Sequence, residues 1–184
     1  MATDFAIRHA VHCIQQGGII AYPTETIYGL GCDPLCAEAV ADILLIKDRD
    51  VGKGLILIAS RIEQLDEFID VTDSNDRAAM AQQETPTTWV VPAKADAPEW
   101  ITGGRDTVAV RISPHPVVIH LCDQLGHALV STSANPSGSK PAMNALQLHR
   151  YFDGMVDSIL ISNHNLPGKA SVIKDLRSGR LLRK

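Results

Sequence analysis

The chain has 184 residues, 45% of them hydrophobic, a length at which a folded domain buries roughly 70% of its unfolded surface and carries its own core. Seventeen Lys and Arg against 21 Asp and Glu leave a net charge of −4, which excludes a bulk-cationic nucleic-acid coat and a membrane-surface protein. The charge is segregated, with one Arg and five acids in residues 1–46 and six Lys or Arg against one acid in residues 169–184, so an anion or RNA site is expected toward the C-terminal end.

Thr3 or Asp4 predicts the cap of a helix whose Phe5, Ile7, Val11 and Ile14 recur at helical spacing and which Gly17 and Gly18 end. Residues 18–22 read as a strand stopped by Pro23, and 23–34 as a turn-rich segment carrying Gly29 and Gly31. An Ala-, Leu- and Ile-rich helix over residues 37–46 delivers Lys47-Asp48-Arg49 at its end. Residues 55–59 form a strand, Ser60 caps a helix over 62–69, another helix covers 74–83, and a strand follows over 88–92. Residues 98–106 read as a loop before a strand over 107–112, whose alternation puts Val108 and Val110 on one face and Ala109 and Arg111 on the other.

A helix over residues 116–125 ends at Gly126, and a strand over 128–131 runs into the polar loop 131–138. Asn144 caps a helix to Phe152, 158–162 is a strand, and 172–176 pairs with 180–183 as a hairpin around Ser178-Gly179. Strands alternate with helices, but some connections are too short for a crossover. The expected fold is therefore α/β: one domain over residues 1–184, a twisted mixed sheet flanked by helices.

The longest apolar runs, such as 55–59 and 116–121, fall far short of a membrane span, and the N-terminus reads as neither signal nor transit peptide, so a cytoplasmic location is expected. Cys13, Cys32, Cys36 and Cys122 lack C-x-x-C spacing and read as reduced, mostly buried thiols. His9, His12, His115, His120, His127, His149 and His164 show no paired ligand spacing, so no protein-held metal is expected. Phosphate-loop, dinucleotide-fold, nucleophile-elbow and zincin motifs are missing, and Ser137-Gly-Ser-Lys140 matches S-x-x-K without its companion motifs.

What remains is small polar loops bearing cations. In an extended loop Lys47 and Arg49 point to the same side and can clamp a polyphosphate, the alternative being solvated charges at a helix end. Ser133 and Asn135 have the same period and can face one ligand or merely form a turn. Arg111 can pair with a carboxylate or serve as a structural strand cation, and Thr24, Glu25 and Thr26 can be ligands or turn formers.

In order along the chain, Tyr22-Pro-Thr-Glu-Thr-Ile-Tyr-Gly-Leu-Gly31, Lys47-x-Arg49, Val110-Arg-Ile-Ser-Pro-His115 and Ser131-Thr-Ser-Ala-Asn-Pro-Ser-Gly138 resemble the YrdC-like family of threonylcarbamoyl-adenylate synthases. The resemblance covers nearly the whole chain and looks closest to short bacterial members. It implies a YrdC-like domain with a concave cleft, and conversion of ATP, L-threonine and bicarbonate to threonylcarbamoyl-AMP and pyrophosphate. Mg²⁺ would be bound through the nucleotide. The product would feed a tRNA threonylcarbamoyl transferase complex that modifies tRNA beside the anticodon.

By the same resemblance Lys47, Arg49, Ser133 and Asn135 form the nucleotide tetrad, the two cations acting in catalysis, with Thr107 and Arg183 near the nucleotide. Thr26, Arg111, Ser131 and Ser171 match positions at the threonine end. The chain departs from the family pattern at residues 83–88, at Ile58, where some relatives place a His, and at residues 170–175. A competing expectation is a binder of tRNA or double-stranded RNA without turnover, motivated by the positive C-terminal segment.

Overall fold

A computed structural model describes residues 3–82, 85–161 and 166–183. Among them one mixed sheet holds nine strands: β1 (Ile20–Pro23), β2 (Tyr28–Gly31), β3 (Ile56–Ala59), β4 (Thr87–Pro92), β5 (Thr107–Ile112), β6 (Leu129–Ser133), β7 (Ser158–Ile159), β8 (Val172–Asp175) and β9 (Leu181–Arg183). Their spatial order is β7-β1-β2-β6-β3-β5-β4-β8-β9. The pairs β1/β7, β3/β5 and β4/β8 run parallel and the other neighbours antiparallel, so the expected mixed α/β sheet is found.

Among the described residues six helices flank it: α1 (Asp4–Gln15), α2 (Ala37–Ile46), α3 (Ser74–Ala81), α4 (Glu99–Thr102), α5 (Pro116–Leu125) and α6 (Ala145–Phe152). Their ends follow local chemistry. Thr3 Oγ1 accepts from Ala6 N–H at α1, Asp73 caps α3 and Asn144 caps α6, each satisfying orphan amides of a first turn. On one sheet face Leu57, Ala59, Val108, Val110 and Val130 pack with α2 and with Leu65, Phe68 and Met80. On the other, Ile58 and Leu129 pack with α1 and α5.

Several elements differ from the sequence reading. The turn-rich segment contains β2, an antiparallel partner of β1. Gly31 serves close approach: a Cβ there would lie 2.5 Å from Val130 O and 2.7 Å from Tyr22 Cε1. Instead of a helix over 62–69 there is one 3-10 turn, Ile62–Leu65, because the Gln64 side chain accepts from Ser60 N–H and Ile69 is drawn into a bridge with Ala93. The loop over 98–106 contains α4, and β6 extends two residues into the polar loop, to Ser133. The expected helix end at Gln83, strand end at Ser162, and His164, Glu84 and Lys184 lie outside the described residues.

Candidate active site

Residues opposite each other in a sheet share a face, and so do residues two apart along a strand. The registers Gly29↔Ser133, Ile56↔Ser131, Ile58↔Arg111 and Val90↔Ala109 therefore put Gly29, Ile56, Ser131, Ser133, Thr107, Ala109 and Arg111 on the face that Ile58 and Leu129 share. Helices α1 and α5 cover one part of this face. Over the rest lies a cavity of about 300 Å³, lined by Thr24, Thr26, Arg49, Thr88, Arg111, Ser131, Ser133, Asn135, Ser171 and Arg183 among others. A neighbouring cavity of about 400 Å³ shares Arg49, Ile56 and Arg183 with it and adds Lys53, Arg105 and Thr107.

The end of α2 delivers the first cations by a route the sequence reading did not contain. The chain is not extended there. Asp48 adopts a left-handed conformation, φ +47°, while its N–H donates to Leu45 O at 3.0 Å and that of Arg49 to Leu44 O at 2.9 Å. This pair of bonds is a Schellman turn, and it sends Lys47 and Arg49 different ways. Arg49 lines both cavities, with Nη2 donating to Gly54 O at 2.9 Å and Nε buried without a partner among the described residues. Burial, then the nearby Arg183, push its guanidinium below its ordinary value. Lys47 is 5% exposed and is not among the lining residues; its ammonium donates to Ser133 O and to Asn135 O at 2.7 Å.

Beyond β6 the chain folds tightly. Asn135 N–H donates to Ser133 O, and Asn135 Nδ2 to Pro136 O at 3.0 Å and Ser139 O at 2.9 Å, which leaves Oδ1 buried and unpartnered. At the other end of the cavity Arg111, 6% exposed, donates from Nη2 to Glu25 Oε2 at 2.7 Å and from Nη1 to Thr26 Oγ1 at 3.4 Å. Thr24 and Thr26 are joined through their hydroxyls at 3.1 Å. Ser171 shares a 2.8 Å hydroxyl contact with Thr88, and Arg183 Nη2 donates to Ser171 O at 3.0 Å, tying the last strand to the cavity.

Thus Thr26, Arg49, Arg111, Ser131, Ser133, Asn135, Ser171 and Arg183 converge on one cavity, Thr107 lies on the adjoining one, and Lys47 stands behind its wall. Thr88 was not singled out as a site residue. Its hydroxyl is fully buried against Ser171, and its sequence signals are a Thr at the head of an otherwise apolar strand and, with Pro86, a match to the family's pattern before that strand. The pairing of Glu25 with Arg111, across 86 positions of sequence, has no local signal.

A mixed sheet whose open face carries a cleft lined by cations and small polar side chains defines the class, an α/β protein with a polar, cation-bearing pocket. Residues 12–184 match the Sua5/YciO/YrdC family model, described as "Telomere recombination", and the chain belongs to that family. It is 44% identical over 181 residues to a threonylcarbamoyl-AMP synthase of Halorhodospira halophila, covering 98% of this chain and 95% of that one. It is 43% identical to the enzyme of the same name from Cellvibrio japonicus, over 96% of this chain and 94% of that one. Among solved structures, P. abyssi Sua5 complexed with L-threonine superposes with a TM-score of 0.90 at 32% identity over 98% of this chain, which spans 54% of that protein. E. coli YciO shares the fold, with a TM-score of 0.86 at 24% identity, over 99% of this chain and 90% of that one.

Proposed function

We propose that this chain is a threonylcarbamoyl-AMP synthase, joining L-threonine, bicarbonate and ATP into threonylcarbamoyl-AMP with release of pyrophosphate. The observation that carries the reading is the convergence on one cavity of a cationic end, Arg49 and Arg183 with Ser133 and Asn135, and a polar end around Arg111 and Thr26. The first suits a triphosphate, the second an amino acid. Relatives about 44% identical along the whole chain bear the same enzyme name.

The chemistry asks for placement more than for a nucleophile. Threonine's amine adds to the carbon of bicarbonate, water leaves, and a carbamate oxygen attacks the α-phosphorus of ATP as pyrophosphate departs. Arg49 and Arg183 counter the charge that grows on the departing phosphates, with Lys47 at the same end and Thr107 beside the nucleotide. Arg111, Thr26, Ser131 and Ser171 orient threonine, and a walled cavity shields the labile carbamate from water.

Among the described residues no group of three His, Cys, Asp or Glu stands close enough to hold a metal ion. Magnesium would be carried on ATP's phosphates, with the Ser133 hydroxyl as the neutral oxygen at that end, and would supply further positive charge there.

Arg177 and Arg180 are exposed on the turn between β8 and β9, at the open edge of the sheet, and would give tRNA or double-stranded RNA a phosphate contact. A tRNA threonylcarbamoyl transferase complex would consume the product, in the cytoplasm. No helix among the described residues is long and apolar enough to cross a membrane. The deciding experiment is pyrophosphate release from ATP with threonine and bicarbonate added singly and together, with mass identification of the nucleotide product. Release only in the complete mixture supports the synthase. Identical background in every mixture leaves a binding protein, whose RNA affinity should then fall steeply with salt.

A further inference from the structure

The ammonium of Lys47 is held by protein carbonyls, and Lys47 is not among the residues that line the cavity. Two of its three N–H bonds go to the carbonyls of Ser133 and Asn135, residues whose side chains line the cavity that Lys47 does not line. Ser133 O also accepts Asn135 N–H at 2.9 Å, so a single buried cation gathers both carbonyls of a tight turn on the side away from the ligand. The same turn is anchored twice more, by Ala134 N–H to Tyr28 O and by Ala142 N–H to Ala134 O, both at 2.8 Å. A carbonyl turned toward a triphosphate would repel it, whereas a hydroxyl and an amide can donate to it. Holding the two carbonyls back is therefore a condition for an anion site on this loop.

We infer that Lys47 is a positioning residue, which acts on bound nucleotide through the turn of Ser133 and Asn135 that it pins and does not touch the phosphates itself. The inference rests on reading this cavity as an ATP site. It separates Lys47 from Arg49, two residues along, whose side chain does line the cavity. A direct phosphate contact and a pin both lose affinity on mutation, but they differ in two respects. A contact contributes additively with Asn135 and carries its own share of the salt dependence; a pin is coupled to Asn135 and leaves that dependence to the residues at the phosphates.

The test is a double-mutant cycle on ATP affinity by calorimetry, using the full chain with Lys47→Met, Asn135→Ala, the double variant and Arg49→Met at two salt concentrations. Each single variant should weaken ATP by about tenfold, the scale of one charge-assisted bond. The double should be no weaker than the worse single, and only Arg49→Met should flatten the salt dependence. Additive losses, with Lys47→Met flattening the salt dependence as Arg49→Met does, would overturn the pin while leaving the ATP site standing. Wild-type protein that binds no ATP overturns both. Should Lys47→Met fail to fold, the wild type decides: its ¹⁵N-labelled lysine spectrum should show a slowly exchanging ammonium signal that stays in place when ATP is added. A signal that moves on addition marks transfer of the ammonium to phosphate and rejects the inference.

Discussion

Glu25 Oε2 accepts a hydrogen bond from Arg111 Nη2 at 2.7 Å, so the strand cation facing the amino-acid end of the cavity already carries a carboxylate before any substrate arrives. The pair is largely withdrawn from water, with side chains 17% and 7% exposed, and Glu25 Oε1 and Arg111 Nε have no partner among the described residues. Removing one member strands the other, which costs far more than the pair contributes. Arg111→Ala should therefore lower stability by about 3 kcal/mol, while Glu25→Ala with Arg111→Ala recovers part of that loss. Denaturant midpoints check this: equal midpoints for the single and double variants would show that the pair is not coupled. Threonine affinity, measured by calorimetry on the double variant, should fall at least about tenfold, since both charges at that end are gone.

A second expectation separates two glycines of one strand. A Cβ on Gly29 would meet Ser131 Oγ and Tyr22 Cζ at 3.5 Å, ordinary contact, whereas on Gly31 it would collide with Val130 O and the Tyr22 ring. Gly31→Ala should cost about 1–3 kcal/mol or more, because backbone cannot give way as a flexible side chain can. Gly29→Ala should stay within about 1 kcal/mol of wild type. Comparable midpoints for the two variants would contradict the packing of Tyr22 across β2.

The same contrast shows what was legible in the sequence. The helices over Ala37–Ile46 and Pro116–Leu125 and the strand over Thr107–Ile112 lie where their periodicity and caps put them, since each is specified by its own residues. Strand β2 reads as turn from sequence because glycines at positions 29 and 31 look like breakers locally, and the reason for Gly31, the Val130 carbonyl and the Tyr22 ring pressed against it, lies on other strands. The site behaves likewise. Residue types at period two brought Lys47, Arg49, Ser133 and Asn135 to notice, but the directions of the first two depend on a left-handed Asp48, and the partner of Arg111 lies across the sheet.

Asp48 is itself a point of test. It occupies the left-handed position after α2, where glycine is the usual residue because a Cβ there crowds the backbone. Asp48→Gly should raise stability by about 0.5–1 kcal/mol with an unchanged denaturant slope, while the β-branched Asp48→Val should lower it by at least about 1 kcal/mol. Turnover by Asp48→Gly should match wild type, since the turn that aims Arg49 is kept. If glycine destabilises, the Asp48 side chain makes a contribution that its backbone conformation does not account for.

Through the proton on Lys47, folding stability and ATP binding move in opposite directions with pH. Burial, and then the charge of Arg49, lower its pKa from 10.5 to about 8. The unfolded chain therefore holds this proton more tightly than the folded one across pH 8 to 10.5, and over that window this group's contribution to folding becomes more favourable as pH rises. Binding responds the other way. Above about pH 8 the neutral amine keeps hydrogen bonds to Ser133 O and Asn135 O without the charge that makes them strong, so ATP affinity should decline through that pH. Since the protonated form binds ATP better, Lys47 should by linkage hold its proton to a higher pH in the ATP complex than in the free protein. Calorimetry from pH 7 to 9.5, beside the same series for Lys47→Met, reads the effect. Wild-type affinity that stays level across the range, or that falls in parallel in the variant, would locate the titrating group elsewhere.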